Sequence, residues 1–150
     1  MIMDDLLEFA DATALSTSGT GIANVGDIID LGATPQDFGN GHGMYLVIQV
    51  DTAVTSAGSA TVSFQLVSDA GAIATDGSAS LHYASAAIPK ATLVAGYELV
   101  IPVPLSVGVE YERYLGVQQN VGTAALTAGK INAFLTKDPK GWKSYPDAVN

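Results

Sequence analysis

Apolar and polar side chains alternate with a period of two through the middle of the chain. In residues 60–68, Val62, Phe64 and Leu66 alternate with Thr61, Ser63 and Gln65, the pattern of a strand with one buried face. Residues 44–51 are denser in apolar side chains (Tyr45, Leu46, Val47, Ile48, Val50) and read as a central strand. Residues 97–103 alternate Tyr97, Leu99, Ile101 and Val103. Pro102 and Pro104 lack N–H donors, which places the end of that strand at a sheet edge or a bulge. Residues 111–119 set Tyr111, Arg113, Leu115 and Val117 on one face, and residues 130–136 set Ile131, Ala133 and Leu135 together. Shorter runs at 28–31 and 81–85 continue the series. Glycine-bearing turns separate the runs: Gly39-Asn40-Gly41-His42-Gly43, Ala57-Gly58, Asp76-Gly77, Ala95-Gly96, Val107-Gly108, Asn120-Val121-Gly122 and Ala128-Gly129. Asp138-Pro139-Lys140-Gly141 carries Asp, Pro and Gly where a type I turn prefers them. Short strands spaced by such turns predict an all-β domain: a sandwich, a jelly roll or a barrel.

The ends follow the alternation less well. Met3, Leu6, Leu7 and Ala10 have helical spacing opposite Asp4, Glu8 and Asp11, yet Leu7 and Phe9 also alternate as a strand would. Residues 11–26 hold few large apolar side chains and read as an arm or a loop. Residues 142–147 follow a turn and predict no regular element. With no linker and no internal repeat, the organisation expected is one domain: an N-terminal arm (1–26), a β-sandwich (27–138) and a C-terminal tail (139–150).

Composition narrows the functional classes. A chain of 150 residues with 48% hydrophobic side chains can build a core without covalent staples. Only 14% of residues are charged, against roughly 25% in an average soluble domain, so Ser, Thr, Gly, Asn and Gln carry the polar surface. Cysteine is absent, which removes disulfides and thiolate metal sites. The acidic start Met1-Ile2-Met3-Asp4-Asp5 lacks the basic region of a secretory signal, and no stretch approaches 18 uncharged apolar residues. A soluble product made in the cytoplasm, with no membrane partner, is expected.

The net charge of −9 is unevenly spread. Residues 1–89 contain ten acids (Asp4, Asp5, Glu8, Asp11, Asp27, Asp30, Asp37, Asp51, Asp69, Asp76) and no Lys or Arg. All six cations (Lys90, Arg113, Lys130, Lys137, Lys140, Lys143) lie in the remainder, against five acids. Nucleic-acid binding needs clustered cations to displace counterions. The cluster available is Lys137, Lys140 and Lys143 beside Trp142, so direct nucleic-acid binding is not expected.

Candidate chemistry is sparse. His42 sits in a glycine-rich turn and His82 beside Tyr83 in a predicted strand, and neither has a triad or metal motif around it. The stretch 39–43 precedes a strand instead of joining strand to helix, so it fails as a dinucleotide fingerprint. Asp69 and Asp76 flank a loop without the ligand spacing of an EF-hand. Tyr45, Tyr97, Tyr111 and Tyr114 would suit a carbohydrate platform, but core and interface packing explains strand aromatics more simply. No enzymatic reading survives, and no cofactor or metal is expected.

The run 40–69 (NGHGMYLVIQVDTAVTSAGSATVSFQLVSD) stands with several other blocks: 6–15 (LLEFADATAL), Asp30-Leu31-Gly32-Ala33, 90–99 (KATLVAGYEL), Arg113-Tyr114-Leu115 and 127–130 (TAGK). Taken in order, they resemble the capsid cement, or decoration, proteins of Bordetella-phage-like tailed bacteriophages. The resemblance implies a jelly-roll domain on the capsid exterior that links neighbouring capsomers of the major capsid protein and stabilises the shell. It offers no catalytic residues to carry over. It also implies self-association, a homodimer near two-fold positions or, as the second arrangement, a trimer. The charge asymmetry then points to contacts. The basic, aromatic tail (Lys137, Lys140, Trp142, Lys143, Tyr145) is expected to meet an acidic neighbour, either the capsid or a second copy. The N-terminal arm, with Leu6, Leu7 and Phe9, is the other expected contact. Two further classes fit an all-β chain without chemistry: a carbohydrate- or receptor-binding sandwich, and a self-assembling surface-layer or tail-tube subunit.

Overall fold

A computed structural model of the chain describes residues 5–33, 43–105 and 108–139. A single 3-10 turn (Asp5–Leu7) leads into nine strands: β1 (Glu8–Ala14), β2 (Gly21–Asp30), β3 (Tyr45–Thr55), β4 (Thr61–Asp69), β5 (Ser80–Ala84), β6 (Ile88–Pro89), β7 (Glu98–Pro102), β8 (Tyr114–Gly122) and β9 (Ala128–Thr136). They form two antiparallel sheets, β1-β9-β3-β7 and β2-β8-β4-β5, with the short β6 also paired to β4. The chain passes from one sheet to the other at six of the eight connections between these strands, and β1 lies beside β9 and β2 beside β8.

Alternation explains the core. Leu46, Ile48, Val50 and Ile131, Ala133, Leu135 from one sheet meet Val62, Phe64, Leu66 and Leu115, Val117, Val121 from the other, all buried in one cluster. Two sheets facing each other across interdigitated side chains give the two-layer packing expected of a sandwich. β3, the apolar-dense run, is flanked by β9 and β7 as a central strand. β7 is an edge strand that ends at Pro102, where a missing N–H costs no ladder bond.

Two expectations need correction, and one open alternative closes. The residues read as an N-terminal arm supply two strands, β1 and β2. Their weak apolar signal follows from their position at sheet edges, where register breaks at Ala10 and between Val25 and Ile29 interrupt the alternation. The mixed helical and strand spacing of residues 3–10 resolves into a short 3-10 turn followed at once by a strand. Finally, β8 starts at Tyr114, so Tyr111 and Arg113 precede it: Tyr111 is buried, whereas Arg113 turns outward to Asp30.

Candidate functional site

The expected N-terminal contact residues separate in space. Phe9 is fully buried in the core, which removes it from any outer contact, because an aromatic entering a strand at the core face is the cheapest apolar area to bury. Leu7 is half-buried and packs against that core. Leu6, in the 3-10 turn, remains 77% exposed.

Leu6 projects beside the place where the edge strands of the two sheets meet. Gly26 makes that approach possible. Its φ is +68°, and a Cβ there would stand 1.9 Å from the carbonyl oxygen of Phe9. Just beyond it, the break in β2 pairing turns Ile28 outward, 43% exposed. Leu6 and Ile28, with Glu8, Asp27, Ile29 and Asp30, line an open groove of about 390 Å³. Its lining is half apolar (Leu6, Ile28, Ile29) and half acidic (Glu8, Asp27, Asp30). Asp30 accepts two bonds from Arg113, Nε to Oδ1 at 2.9 Å and Nη2 to Oδ2 at 2.7 Å, and a third from the Gly32 N–H at 2.9 Å. Those donors, Arg113 first, hold its carboxyl at a pKa of about 2. The Arg113 guanidinium also lies 5.0 Å over the Tyr114 ring.

Of the expected tail contacts, Lys137 is exposed immediately after β9. Lys140, Trp142, Lys143 and Tyr145 lie outside the described residues. Thr136 and Asp138 bond to each other at the end of β9, with the Asp138 N–H donating to the threonine hydroxyl at 3.2 Å.

One cluster approaches catalytic geometry. Ser68 Oγ is 2.7 Å from His82 Nε2 and accepts the Glu112 N–H at 3.0 Å. The Glu112 carboxylate accepts the Ser80 hydroxyl at 2.5 Å. The His82 ring stacks on Tyr111, centroids 3.9 Å apart and planes at 19°. Yet Ser68 is completely buried, so no substrate atom can approach its hydroxyl, and the cluster ties β4 and β5 to the segment before β8. Burial holds His82 below its ordinary pKa, against an opposing pull from Glu112. In the unfolded chain His82 therefore takes up a proton at higher pH than in the fold. Its contribution to stability is complete above pH 6.5 and falls as pH drops further. Urea midpoints measured at pH 7.5 and 5.5 should show this loss, and His82→Gln, which keeps a polar partner for Ser68, should shrink it.

The remaining candidates do not converge. Asp69 and Asp76 each accept bonds from their own loop, Asp69 from the Gly71 N–H and Asp76 from the Ser78 N–H and hydroxyl. Among the described residues no group of three or more His, Asp or Glu side chains could hold a metal ion. Tyr111 is buried and Tyr45, Tyr97 and Tyr114 are half-buried on separate elements, so these four build no exposed platform. His42 lies outside the described residues. No helix among the described residues is long and apolar enough to cross a membrane.

Sequence reasoning missed the buried amides. Gln118 donates to Asn24 Oδ1 and to the Ala74 carbonyl, both at 2.8 Å, and Asn24 donates to the Ile73 carbonyl at 3.1 Å. Together they hold the loop after β4 on the five-stranded sheet. Gln119 clasps Ser16, accepting its N–H at 2.8 Å and donating to its carbonyl at 3.0 Å. Two adjacent glutamines inside an apolar strand were the available signal, since neither would be buried without partners.

The sequence profile of the Bbp16 family matches residues 9–135, from the second residue of β1 to the penultimate residue of β9. The chain belongs to that family. The family's name agrees with the Bordetella-phage resemblance of the sequence blocks and states no function. No curated protein matches the chain.

Proposed function

We propose that this member of the Bbp16 family is a structural virion protein that binds the exterior of a tailed-phage capsid. There it links neighbouring major capsid protein capsomers and adds contact area without chemistry. The observation that carries the reading is the family match across the folded body. The strand pairing supports a jelly roll: β1 with β9, β2 with β8, β3 with β7 and β4 with β5 nest as one long hairpin rolled over itself. The sealed hydroxyl of Ser68 supports a non-enzymatic role.

The sheet edges favour a discrete partner over endless self-assembly. β1 and β2 are broken in register, β5 is short, and β7 ends in proline. Each is a device that blocks edge-to-edge strand addition. This counts against the surface-layer and tail-tube reading, just as the dispersed tyrosines count against a glycan platform. We place the protein in the virion, made in the host cytoplasm, as a small homo-oligomer until capsids are supplied.

The test mixes the purified full-length protein with undecorated capsids and measures bound copies by sedimentation and electron microscopy. Saturable, symmetric occupancy and a higher temperature of capsid rupture are expected. Protein that stays in the supernatant at saturating concentration overturns the proposal.

A further inference from the structure

We infer that the outer face of the β2-β8-β4-β5 sheet is the surface that meets the capsid, and that the partner there presents an apolar side chain flanked by Lys or Arg. The inference rests on the capsid reading proposed above and names the face and the chemistry of its partner. Strand register sets the outward side chains of this sheet in rows. One row is apolar. Val67 of β4 pairs with Leu81 of β5 on one side and with Gly116 of β8 on the other. Glycine at 116 leaves room for a neighbour, since a Cβ there would stand 2.5 Å from Ile73 Cδ1 and 3.9 Å from Ile28 Cγ1. The row therefore runs Leu81, Val67, Ile73, Ile28 across the four strands, with Ile73 laid over its middle from the loop after β4. Val67 and Ile73 are buried, while the two ends stay open, Leu81 at 48% and Ile28 at 43% exposure.

The next row is acidic. Asp30 of β2 pairs with Tyr114 of β8, and Tyr114 pairs with Asp69 of β4. Asp27, next to Ile28, and Asp76, in the loop that carries Ile73, add two exposed carboxylates. The cation beside this row is Arg113, and its guanidinium is engaged at Asp30. The other cations among the described residues lie elsewhere. Lys130 belongs to β9 of the other sheet and Lys137 follows it. Lys90 sits at the opposite end of β4, its N–H donating to the Ala60 carbonyl and its ammonium to the Ser56 carbonyl.

This composition selects the partner. Nucleic acid or an anionic lipid surface would meet like charge. A second copy docked by the same face would set Asp against Asp across a two-fold axis, with no cation to pair them. The chain itself covers the opposite face and not this one. Val47 of β3 and Phe134 of β9 alternate outward from core neighbours, yet they are 0% and 3% exposed in the isolated chain, where Leu81 and Ile28 remain open. A separate protein surface that brings cations to an apolar contact is the occupant that fits. Such a contact sets paired charge around a dry apolar centre, the arrangement that concentrates binding energy at interfaces.

Hydroxyl-radical footprinting of the full-length protein, free and bound to capsids, reads the face directly. Ile28 and Leu81 should react in the free protein and lose most of that reactivity on capsids. Val94 and Val100, exposed beside the four-stranded sheet, should keep theirs. Asp27→Lys and Leu81→Ser, both at exposed positions, should each weaken capsid binding by about tenfold or more, with urea midpoints near the parent's. Asp51→Lys, an equal charge change on β3, should leave binding unchanged. Binding should also weaken as salt rises. Ile28 and Leu81 that stay reactive on occupied capsids overturn the inference and leave the capsid reading standing. So does an equal loss from Asp51→Lys, which would make net charge the cause. Protection in the free protein overturns it as well, at every concentration through the chain's own cover and only at high concentration through a second copy. Protein that leaves capsids bare overturns both.

Discussion

Replacing Gly26 by alanine is expected to cost about 3–5 kcal/mol of folding stability, enough to abolish cooperative unfolding in a marginally stable domain. Two effects add. A φ of +68° is strained for any residue with a Cβ, and the added methyl would sit 1.9 Å from the Phe9 carbonyl oxygen. A flexible side chain could swing away, but backbone cannot, so β1 and β2 would have to separate. That separation would break the seam at which the two sheets meet and distort the groove beside it. Gly96 offers the matched control: its φ is +87°, yet nothing lies within 4 Å of its would-be Cβ. Gly96→Ala should therefore cost only the backbone strain, about 1 kcal/mol. Urea denaturation of both variants, followed by circular dichroism, decides the point. Equal losses would mean that the close approach at Gly26 contributes nothing.

The same glycine shows where the sequence was legible. Alternation at 60–68 and apolar density at 44–51 gave β4 and β3 directly, because these strands are paired on both sides and each side chain faces either the core or the outer surface. β1 and β2 are edge strands whose bulges shift the pattern by a residue. They hide an alternation that partner strands would otherwise enforce. A positive φ and a contact to a carbonyl 17 positions earlier in the chain leave no local signature beyond the letter G.

The candidate site was legible in charge and not in geometry. The acids of the first 89 residues could be counted, but only the fold brings Glu8 of β1 next to Asp27 and Asp30 of β2. Phe9 shows the opposite failure. Three positions after the exposed Leu6, it groups by sequence with the contact residues, yet a strand's alternation sends it inward. The Ser68–His82–Glu112 cluster had no motif to announce it, since its members come from two strands and a connecting segment.

Tyr111 belongs to that connecting segment, and its removal is the second large effect expected. The ring is 2% exposed, stacks on His82, and its hydroxyl donates to the Pro104 carbonyl at 2.6 Å. Tyr111→Ala empties a core position and should cost about 3–5 kcal/mol. Tyr111→Phe keeps the ring and strands one carbonyl, a loss of about 1–2 kcal/mol. The two variants also differ from the parent in alkali. Burial raises the Tyr111 pKa from 10 to about 12, so the folded state holds the phenolic proton more tightly than the unfolded chain. The resulting stability is complete below pH 10 and is lost as pH climbs toward 12. Subtracting the Tyr111→Phe stability curve from the parent's between pH 9 and 12 should isolate that loss. A difference that stays flat across the window would mean the phenol ionises without penalty, and that the segment is held by the ring stack alone.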